Sequence, residues 1–321
     1  MEKSMYIVST LDLPEEYREM LKRECGQYEV EHVNKLADLP GDKLEKVEVL
    51  LTYGNHMPEE IVCKMKSLRW IHSGQAGIDA MPKELLADMN VVVTNSRGIN
   101  SITIAEYVMC MILNLERNTY RFYEAAKRAE WDMVTHLDEV AEKTITILGL
   151  GKVGMEIAKR AKAFDMKVVG VNLVKVNSNY VDEQFPPEKL SEIAGNTDYM
   201  VICMPLTKDT YYMIDKEIIS KMKETAVLIN VGRGPIVKTE DLVDALEHQK
   251  IRAAILDVLE EEPLLPESPL WKMDNLMITP HIAGDRQKSY MPRMMRILCK
   301  NLNIYPRFDE MENPVNVRRG F

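Results

Sequence analysis

Apolar and polar positions along the 321-residue chain follow two periods. Short runs of β-branched and apolar residues, bounded by Gly, Pro or polar turns, predict buried strands, and stretches with apolar residues every three or four positions predict helices. The first predicted strands are Tyr6–Ser9, Tyr28–Val33, Val47–Tyr53, Arg69–Ser73 and Val91–Thr94. Helical patterns such as Glu15–Glu24 and Glu59–Lys66 lie between them. This alternation predicts an α/β domain with a parallel sheet.

A long periodic apolar segment follows from Ser101 to Arg117, and Asn100 or Ser101 is a plausible cap at its start. It predicts a helix that leads into a second α/β region. The strands of that region are predicted at Thr144–Leu148, Lys167–Val171, Tyr199–Met204, Ala226–Asn230, Ala253–Asp257 and Leu276–Thr279. The segment Ser289–Leu302 is helical again. Because a chain of this length exceeds the usual size of one core, we predict two domains.

The strand at Thr144–Leu148 runs directly into a G-x-G-x-x-G sequence made of Gly149, Gly151 and Gly154. An amphipathic helical pattern comes immediately after it. In this context the glycines permit a tight turn, a close approach of the backbone to a pyrophosphate and close packing of helix on strand. The sequence therefore predicts a dinucleotide site rather than a Gly-rich turn without a ligand.

Arg233, Glu262 and His281 each lie where an apolar run gives way to Gly or Pro. The carboxyl ends of parallel strands border the ligand crevice of such folds, so the three side chains are expected to converge. A guanidinium binds a carboxylate, an imidazole transfers a proton, and a carboxylate orients that imidazole and favours its protonated form. The set predicts a carbonyl-reducing site. Glu260 and Glu261 are expected to be solvated neighbours, and a lone histidine such as His281 could instead be structural.

This order of motifs, with Asp257 before Glu262 and Pro280 before His281, resembles the D-isomer-specific 2-hydroxyacid dehydrogenases over the whole chain. The resemblance implies that His281 is the general acid in reduction and the general base in oxidation. It implies that Glu262 is the hydrogen-bonding partner of His281 and that Arg233 anchors the substrate. Glycines on both sides of Arg233 suit an unusual backbone pressed against a ligand.

The family's substrate-carboxylate loop matches Ser73–Asp79, where the backbone N–H groups of Ala76 and Gly77 would be donors. The implied cofactor-binding residues are Gly149, Gly151, Lys152, Val153, Gly154, Asn172, Lys175, Pro205, Val231 and Asp257. Among them Asp257 would face the nicotinamide carboxamide. NAD-specific members usually carry an aspartate where this chain has Asn172, and Lys175 and Ser178 follow within reach of a phosphate. NAD and NADP both remain open, with a preference for NADP.

By resemblance, residues 1–99 and 288–321 form a discontinuous substrate domain, and residues 100–287 form the NAD(P)-binding Rossmann domain. Both domains are expected to be Rossmann-like or flavodoxin-like parallel-sheet structures, with the active site in the cleft between them and closure expelling water. The family is typically dimeric through its cofactor domain, and Trp131–Glu142 is a plausible arm. The partner is therefore expected to be a second copy of the chain.

The sequence leaves the identity of the substrate open between two kinds of 2-oxo acid. Formate-oxidising members replace the glutamate partner with an amide, so Glu262 argues against formate. Reduction of glyoxylate or hydroxypyruvate is the first choice, and a larger 2-oxo acid is the second, with Tyr53, His72 and Met291 as candidate pocket residues. The length fits the short form of the family without a regulatory domain. The alternative is a dinucleotide-sensing binding protein like the corepressors that share this fold.

Composition adds few constraints. The net charge of −9 gives no reason to expect a nucleic-acid partner. The amino terminus predicts a first strand rather than a signal peptide, and no apolar segment has the length of a membrane span, so a cytoplasmic protein is expected. The cysteines have no C-x-x-C pair and are expected to be small core residues in a reducing compartment, not metal ligands or a disulfide framework. They are Cys25, Cys63, Cys110, Cys203 and Cys299.

Overall fold

The computed structural model describes residues 5–26, 28–133, 137–284 and 288–318. The chain divides into two units, of which the first comprises Met1–Ile99 and Gln287–Phe321 and the second comprises Asn100–Arg286. Each unit is an α/β structure built on a largely parallel sheet, so the predicted fold class is confirmed. No helix of the described residues is long and apolar enough to cross a membrane.

In the first unit, strands and helices alternate along the chain. They are β1 (Tyr6–Ser9), α1 (Glu15–Glu24), β2 (Glu29–His32), α2 (Gly41–Leu44), β3 (Val49–Thr52), α3 (Glu59–Val62), β4 (Trp70–Ser73), α4 (Lys83–Asp88) and β5 (Val92–Asn95). Within the described residues the sheet order is 2-1-3-4-5, and the parallel strands carry one late antiparallel strand beside β5. This order is flavodoxin-like.

The second unit continues the alternation. Its elements are α5 (Ser101–Glu116), α6 (Thr119–Lys127), β6 (Thr144–Leu148), α7 (Lys152–Ala163), β7 (Lys167–Val171), β8 (Glu183–Phe185), α8 (Leu190–Ile193), β9 (Tyr199–Ile202), α9 (Lys216–Lys221), β10 (Val227–Asn230), α10 (Thr239–Glu247), β11 (Ala253–Leu256) and β12 (Leu276–Ile278). The chain then contributes α11 (Tyr290–Ile304) and the antiparallel strand β13 (Pro314–Val315) to the first unit.

The sheet of the second unit is parallel among the described residues and has the order β12-β11-β10-β9-β6-β7-β8. The order reverses at β6, which lies between β9 and β7. In folds of this kind ligands bind outside the carboxyl ends of the strands at that reversal. The loop that follows β6 is the glycine sequence, so the fold places this loop at the switch point.

Both sheets are covered on both faces, which explains why inner strands such as β3 and β10 are continuous apolar runs rather than alternating ones. In β10, Val227 and Ile229 pack with α5 and α7 on one face, while Leu228 packs with α9 and α10 on the other. The first sheet has the same arrangement, with Ile7 and Val8 of β1 in separate clusters. Rigid, doubly covered sheets hold the loops at their carboxyl ends in fixed positions.

Some local predictions were wrong. Helix α3 ends at Val62 instead of continuing to Lys66, because the N–H of Met65 turns back to the carbonyl of Val62 and buries the Met65 side chain. Cys25 and Cys299 are buried and Cys203 is partly buried, whereas Cys63 and Cys110 are exposed and are not core residues. Residues 134–136 of the predicted arm, including His136, lie outside the described part of the chain.

Candidate active site

The three glycines of the loop after β6 differ in their surroundings. Gly149 has φ +101, a conformation that favours glycine, and a Cβ there would meet the backbone of Met204 at 3.0 Å. A Cβ at Gly154 would overlap the carbonyl oxygen of Gly149, so helix α7 packs closely on the turn. At Gly151 a Cβ would have nothing within 4 Å, which leaves open space on the outer side of the loop.

The amino end of α7 follows this loop. Met155 donates the first hydrogen bond of the helix, to the carbonyl of Gly151 at 3.0 Å. The N–H groups of Lys152 and Val153 precede that bond and therefore have no partner within the helix. Together with the positive end of the helix dipole, they suit a bound anion such as a pyrophosphate.

Asn172, at the end of β7, ties two loops together. Its Oδ1 accepts the N–H of Leu150 at 3.1 Å, and its Nδ2 donates to the carbonyl of Val174 at 2.8 Å. Gln184 on β8 also donates to Val174, at 3.0 Å, and accepts the N–H of Val176 at 3.0 Å. The neighbouring Lys175 is exposed. Sequence reasoning did not identify Gln184, because its partners are separated from it in the chain.

Arg233 lies between β10 and a short 3-10 helix, Gly234–Ile236. Its backbone is ordinary extended chain with φ −140, so the expected unusual conformation is wrong. The flanking glycines instead allow close packing of neighbouring loops. A Cβ at Gly232 would meet the carbonyl oxygen of Met204 at 2.9 Å, and one at Gly234 would overlap the carbonyl group of Leu259.

The Arg233 side chain is half-buried and held close to its own loop. Nη1 donates to the carbonyl of Gly232 at 2.8 Å. The Asn230 side chain fixes the loop on both sides, because it accepts the N–H of Gly232 at 3.0 Å and donates to the carbonyl of Arg233 at 3.0 Å. The guanidinium is thus presented from a rigid turn at the carboxyl end of β10.

His281 and Glu262 form the pair that the sequence predicts. Nδ1 of His281 lies 2.8 Å from Oε2 of Glu262, and Oε1 of the same carboxylate accepts the N–H of Leu259 at 2.8 Å. Nε2 of His281 makes no hydrogen bond to a described residue, and the side chain is about half exposed at 52%. One imidazole nitrogen is therefore oriented by a carboxylate while the other is accessible.

Asp257, after β11, is buried at 3% exposure, and its carboxylate binds the loop that carries His281. Oδ1 accepts the N–H of Ile282 at 2.9 Å, and Oδ2 accepts the N–H of Ala283 at 3.0 Å. The backbone carbonyl of Asp257 accepts the N–H of His281 at 2.8 Å. Asp257 thus fixes the course of the chain around the histidine, a relation that the sequence reasoning missed.

The remaining predicted cofactor positions, Pro205 and Val231, also lie at the carboxyl edge of the second sheet. Pro205 is exposed in the loop after β9, where its carbonyl accepts the hydroxyl of Thr210 at 2.8 Å. Val231 is partly buried, and its N–H donates to the carbonyl of Ile202 at 3.0 Å. The fold therefore brings the predicted residues of the second unit to one edge of one sheet.

In the first unit, the loop from Ser73 to Gly77 follows β4. Each carbonyl of Ser73–Ala76 accepts a hydrogen bond, and the donors in order are the Ser96 hydroxyl, the Tyr290 hydroxyl, the Ser96 N–H and the Asn95 amide. The N–H groups of Ala76 and Gly77 donate to no described residue. With its carbonyls turned into the protein, the loop presents N–H donors that suit an anion.

Of the candidate pocket residues, Tyr53 and Met291 are partly buried, whereas His72 is fully buried in β4. Its Nδ1 lies 2.9 Å from the hydroxyl of Thr94, and its Nε2 lies 3.3 Å from that of Ser96. Burial lowers the pKa of His72 to about 3. His72 is therefore a neutral core residue, and its assignment to a substrate pocket was wrong.

Comparison with known proteins adds independent information. Residues 109–283 match the family model described as D-isomer specific 2-hydroxyacid dehydrogenase, NAD binding domain. The glyoxylate reductase of Thermofilum pendens is 32% identical over 310 residues, which cover 90% of this chain and 88% of that protein.

Solved structures of the same family are similar to this chain over nearly its whole length. A D-isomer specific 2-hydroxyacid dehydrogenase from Xanthobacter autotrophicus, in complex with NADPH and MES, superposes with a TM-score of 0.83 at 27% identity, covering 99% of this chain and 100% of that one. The NADPH-dependent glyoxylate/hydroxypyruvate reductase from Sinorhizobium meliloti, in complex with NADP and sulfate, has a TM-score of 0.81 at 26% identity, with the same coverage.

Proposed function

Because the chain belongs to the D-isomer-specific 2-hydroxyacid dehydrogenase family of NAD(P)-dependent oxidoreductases, we propose that it reduces glyoxylate or hydroxypyruvate to the D-2-hydroxy acid. The observation that carries the proposal is the His281–Glu262 pair at 2.8 Å, on the sheet edge that also carries Arg233. A glyoxylate reductase is among the relatives that align over most of the chain, which supports this choice of substrate.

The glycine loop fits a dinucleotide. The open space outside Gly151 and the N–H groups of Lys152 and Val153 suit its pyrophosphate. Asn172 carries no charge that would repel a 2′-phosphate, and the exposed ammonium of Lys175 suits one, so NADP is the proposed cofactor. When bound, the reduced nicotinamide supplies the hydride.

Further cofactor contacts are proposed for residues at later strand ends of the same sheet. Pro205 follows β9, which neighbours β6 at the switch point, and Val231 follows β10, the next strand along. Their apolar side chains can pack on the cofactor. Asp257 keeps its predicted role of facing the nicotinamide carboxamide. Its carboxylate oxygens already accept loop N–H groups, so this contact would be added to a structural role.

Substrate binding is assigned to two kinds of donor. The N–H groups of Ala76 and Gly77, which have no acceptor among the described residues, donate to the substrate carboxylate. The Arg233 guanidinium suits a carboxylate as well, since its planar donors match one.

Proton transfer is assigned to Nε2 of His281. Its Nδ1 donates to Glu262, which fixes the ring and leaves Nε2 as the nitrogen that faces the reacting oxygen. In reduction Nε2 would give its proton to the carbonyl oxygen of the substrate, and in oxidation Nε2 would take that proton back. Glu262 stabilises the charged imidazole before the transfer.

The test is loss of NADPH and, separately, NADH absorbance with glyoxylate, hydroxypyruvate, pyruvate, phenylpyruvate and 2-oxoisocaproate. We expect fastest turnover with glyoxylate or hydroxypyruvate and NADPH. Preference for phenylpyruvate or 2-oxoisocaproate would replace the proposed substrate by a larger 2-oxo acid. Tight dinucleotide binding without turnover of any acid would overturn the proposal in favour of a dinucleotide-sensing protein.

We also propose that the protein is a homodimer. Helix α6 and the segment after it expose large apolar side chains, which in a monomer would face water. These are Tyr120, Tyr123, Trp131, Met133 and Leu137, of which Trp131 is 92% exposed. Light scattering should give twice the chain mass, and Trp131→Ser should lower it; a monomeric wild type would refute the dimer.

A further inference from the structure

A chain of side-chain hydrogen bonds runs from helix α5 to the loop of His281. The Tyr107 hydroxyl lies 2.7 Å from the Thr279 hydroxyl, and the Thr279 hydroxyl lies 2.5 Å from Oδ1 of Asp257. Tyr107 and Thr279 are 172 positions apart in sequence. The three residues connect the long helix, the end of β12 and the end of β11.

The direction of these hydrogen bonds follows from the available protons. The Asp257 carboxylate can only accept, so Thr279 must donate its single hydroxyl proton to it. Thr279 then accepts from Tyr107, and the phenol must donate. Burial raises the pKa of Tyr107, so the hydroxyl keeps the proton that this role requires. The three side chains can therefore form these two hydrogen bonds in only one direction, from Tyr107 to Thr279 to Asp257.

The same carboxylate brackets His281. Donors at positions 279, 282 and 283 reach the Asp257 side chain, and the N–H of His281 reaches the Asp257 carbonyl. His281 itself has φ +52, a left-handed conformation that is unfavourable for a residue with a side chain. Such a conformation persists only when the residues around it are held firmly, and Asp257 holds them on both sides.

We infer that Thr279 and Tyr107 are positioning residues for the proton transfer by His281. Thr279 and Tyr107 hold the Asp257 carboxylate in place. That carboxylate in turn holds the loop around His281, and the loop sets the direction of Nε2. The inference rests on the proposed function, in which Nε2 is the group that transfers the proton. Neither Thr279 nor Tyr107 is assigned a contact with the substrate. Substitutions of these residues should therefore lower turnover more than substrate binding.

The kinetic test uses Thr279→Val, which keeps the shape and removes the hydroxyl, and Thr279→Ser, which restores it. Thr279→Val should lower kcat about 10-fold with KM changed by less than about 2-fold, since a small misplacement of a reacting group is enough to slow the chemical step. Thr279→Ser should recover most of the rate. Tyr107→Phe should lower kcat about 3-fold, by loosening Thr279 alone.

Two controls separate positioning from general stability. Thr146 is a buried threonine of the same sheet, hydrogen-bonded to Thr197 at 2.6 Å, and Tyr199 is a buried tyrosine that donates to Glu116 at 2.5 Å. Thr146→Val and Tyr199→Phe should cost stability without a selective loss of kcat. An equal loss of kcat in matched controls, or a wild-type kcat in Thr279→Val, would overturn the inference.

A readout independent of turnover is the ring resonances of His281, observed by NMR with labelled histidine and assigned by their absence in His281→Ala. They should shift or broaden in Thr279→Val and Tyr107→Phe but stay unchanged in Thr146→Val. Unchanged resonances in Thr279→Val would refute the positioning role. If the wild type turned over no 2-oxo acid, the proposed function would fail while this experiment still tested the positioning. Should Thr279→Val not fold, Tyr107→Phe carries the same test.

Discussion

Glu262 receives donors at both of its carboxylate oxygens: Nδ1–H of His281 at Oε2 and the N–H of Leu259 at Oε1, each at 2.8 Å. A carboxylate can accept both, whereas an amide has one accepting oxygen. The pair is therefore more than a single contact, because Glu262 also ties the imidazole to the backbone of the loop after β11.

The first prediction concerns Glu262→Gln. The amide must give up one of the two contacts and cannot stabilise an imidazolium, so the reduction rate at neutral pH should fall about 100-fold. Glu261→Gln, at the exposed neighbouring position, is the matched control and should behave like the wild type. Steady-state kinetics of both variants are the measurement, and equal rates for them would contradict the assigned role.

His281→Ala removes the group to which proton transfer is assigned. We expect turnover to fall by roughly three or more orders of magnitude while the dissociation constant of the dinucleotide stays within about 2-fold. Fluorescence titration measures binding, and single-turnover kinetics measure the chemical step. His248→Ala, at an exposed histidine hydrogen-bonded to Asp244, is the control. Wild-type turnover in His281→Ala would exclude the mechanism.

Arg233→Ala should act mainly on substrate binding. The loss of a charged, planar donor weakens the grip on a carboxylate, so KM should rise about 100-fold and kcat should fall less. Arg233→Lys should recover little, because an ammonium lacks the paired donors. An unchanged KM in Arg233→Ala would place the substrate carboxylate elsewhere.

Cofactor preference is tested at Asn172. In Asn172→Asp the carboxylate still accepts the N–H of Leu150, repels a 2′-phosphate and favours the ribose hydroxyls, so the ratio of kcat/KM for NADH to that for NADPH should rise about 10-fold. The variant loses the hydrogen bond from residue 172 to the carbonyl of Val174, but the Gln184 amide still donates to that carbonyl. An Asn172→Asp variant that kept the NADPH preference of its parent would contradict the NADP assignment.

Stability should depend on pH through His72. Burial lowers its folded-state pKa from the ordinary value of 6.5 to about 3, so its contribution to stability is complete above pH 6.5 and is lost as the pH falls toward 3. At pH 5 the free energy of unfolding should be lower by about 2 kcal/mol than at neutral pH. Urea unfolding followed against pH should show this slope in the wild type and a flatter one in His72→Gln. Ser96→Ala, which keeps the buried ring, should retain the slope.

Local patterns were enough to predict the fold and the hydrogen-bonded pair of His281 and Glu262. The spacing of Gly149, Gly151 and Gly154 after a buried strand has one good physical explanation. The structure has the positive φ that it requires at Gly149 and the close packing that it requires at Gly154. Strand positions such as Val227–Asn230 follow from doubly covered sheets, whose apolar runs are hard to mistake.

Relations between distant parts of the chain were not predictable in this way. Nothing near Tyr107 or Gln184 indicates their contacts with Thr279 and Val174, because hydrogen bonds across 172 or 10 positions leave no periodic signal. The burial of His72 likewise depends on its neighbours in β3 and β5, while its own residue type suggests a surface or a site.

The glycines at the edge of the second sheet bear on how the protein can change. At Gly149 and Gly232 an added Cβ would press on the backbone of Met204, and at Gly234 it would overlap the backbone of Leu259, so successive loops are in main-chain contact. Random mutagenesis should therefore leave these glycines almost invariant among active variants. Substitutions of side chains that line the substrate pocket should be tolerated far more widely. The loops that hold Arg233 are fixed by main-chain contacts, so a change of substrate specificity does not require these loops to change.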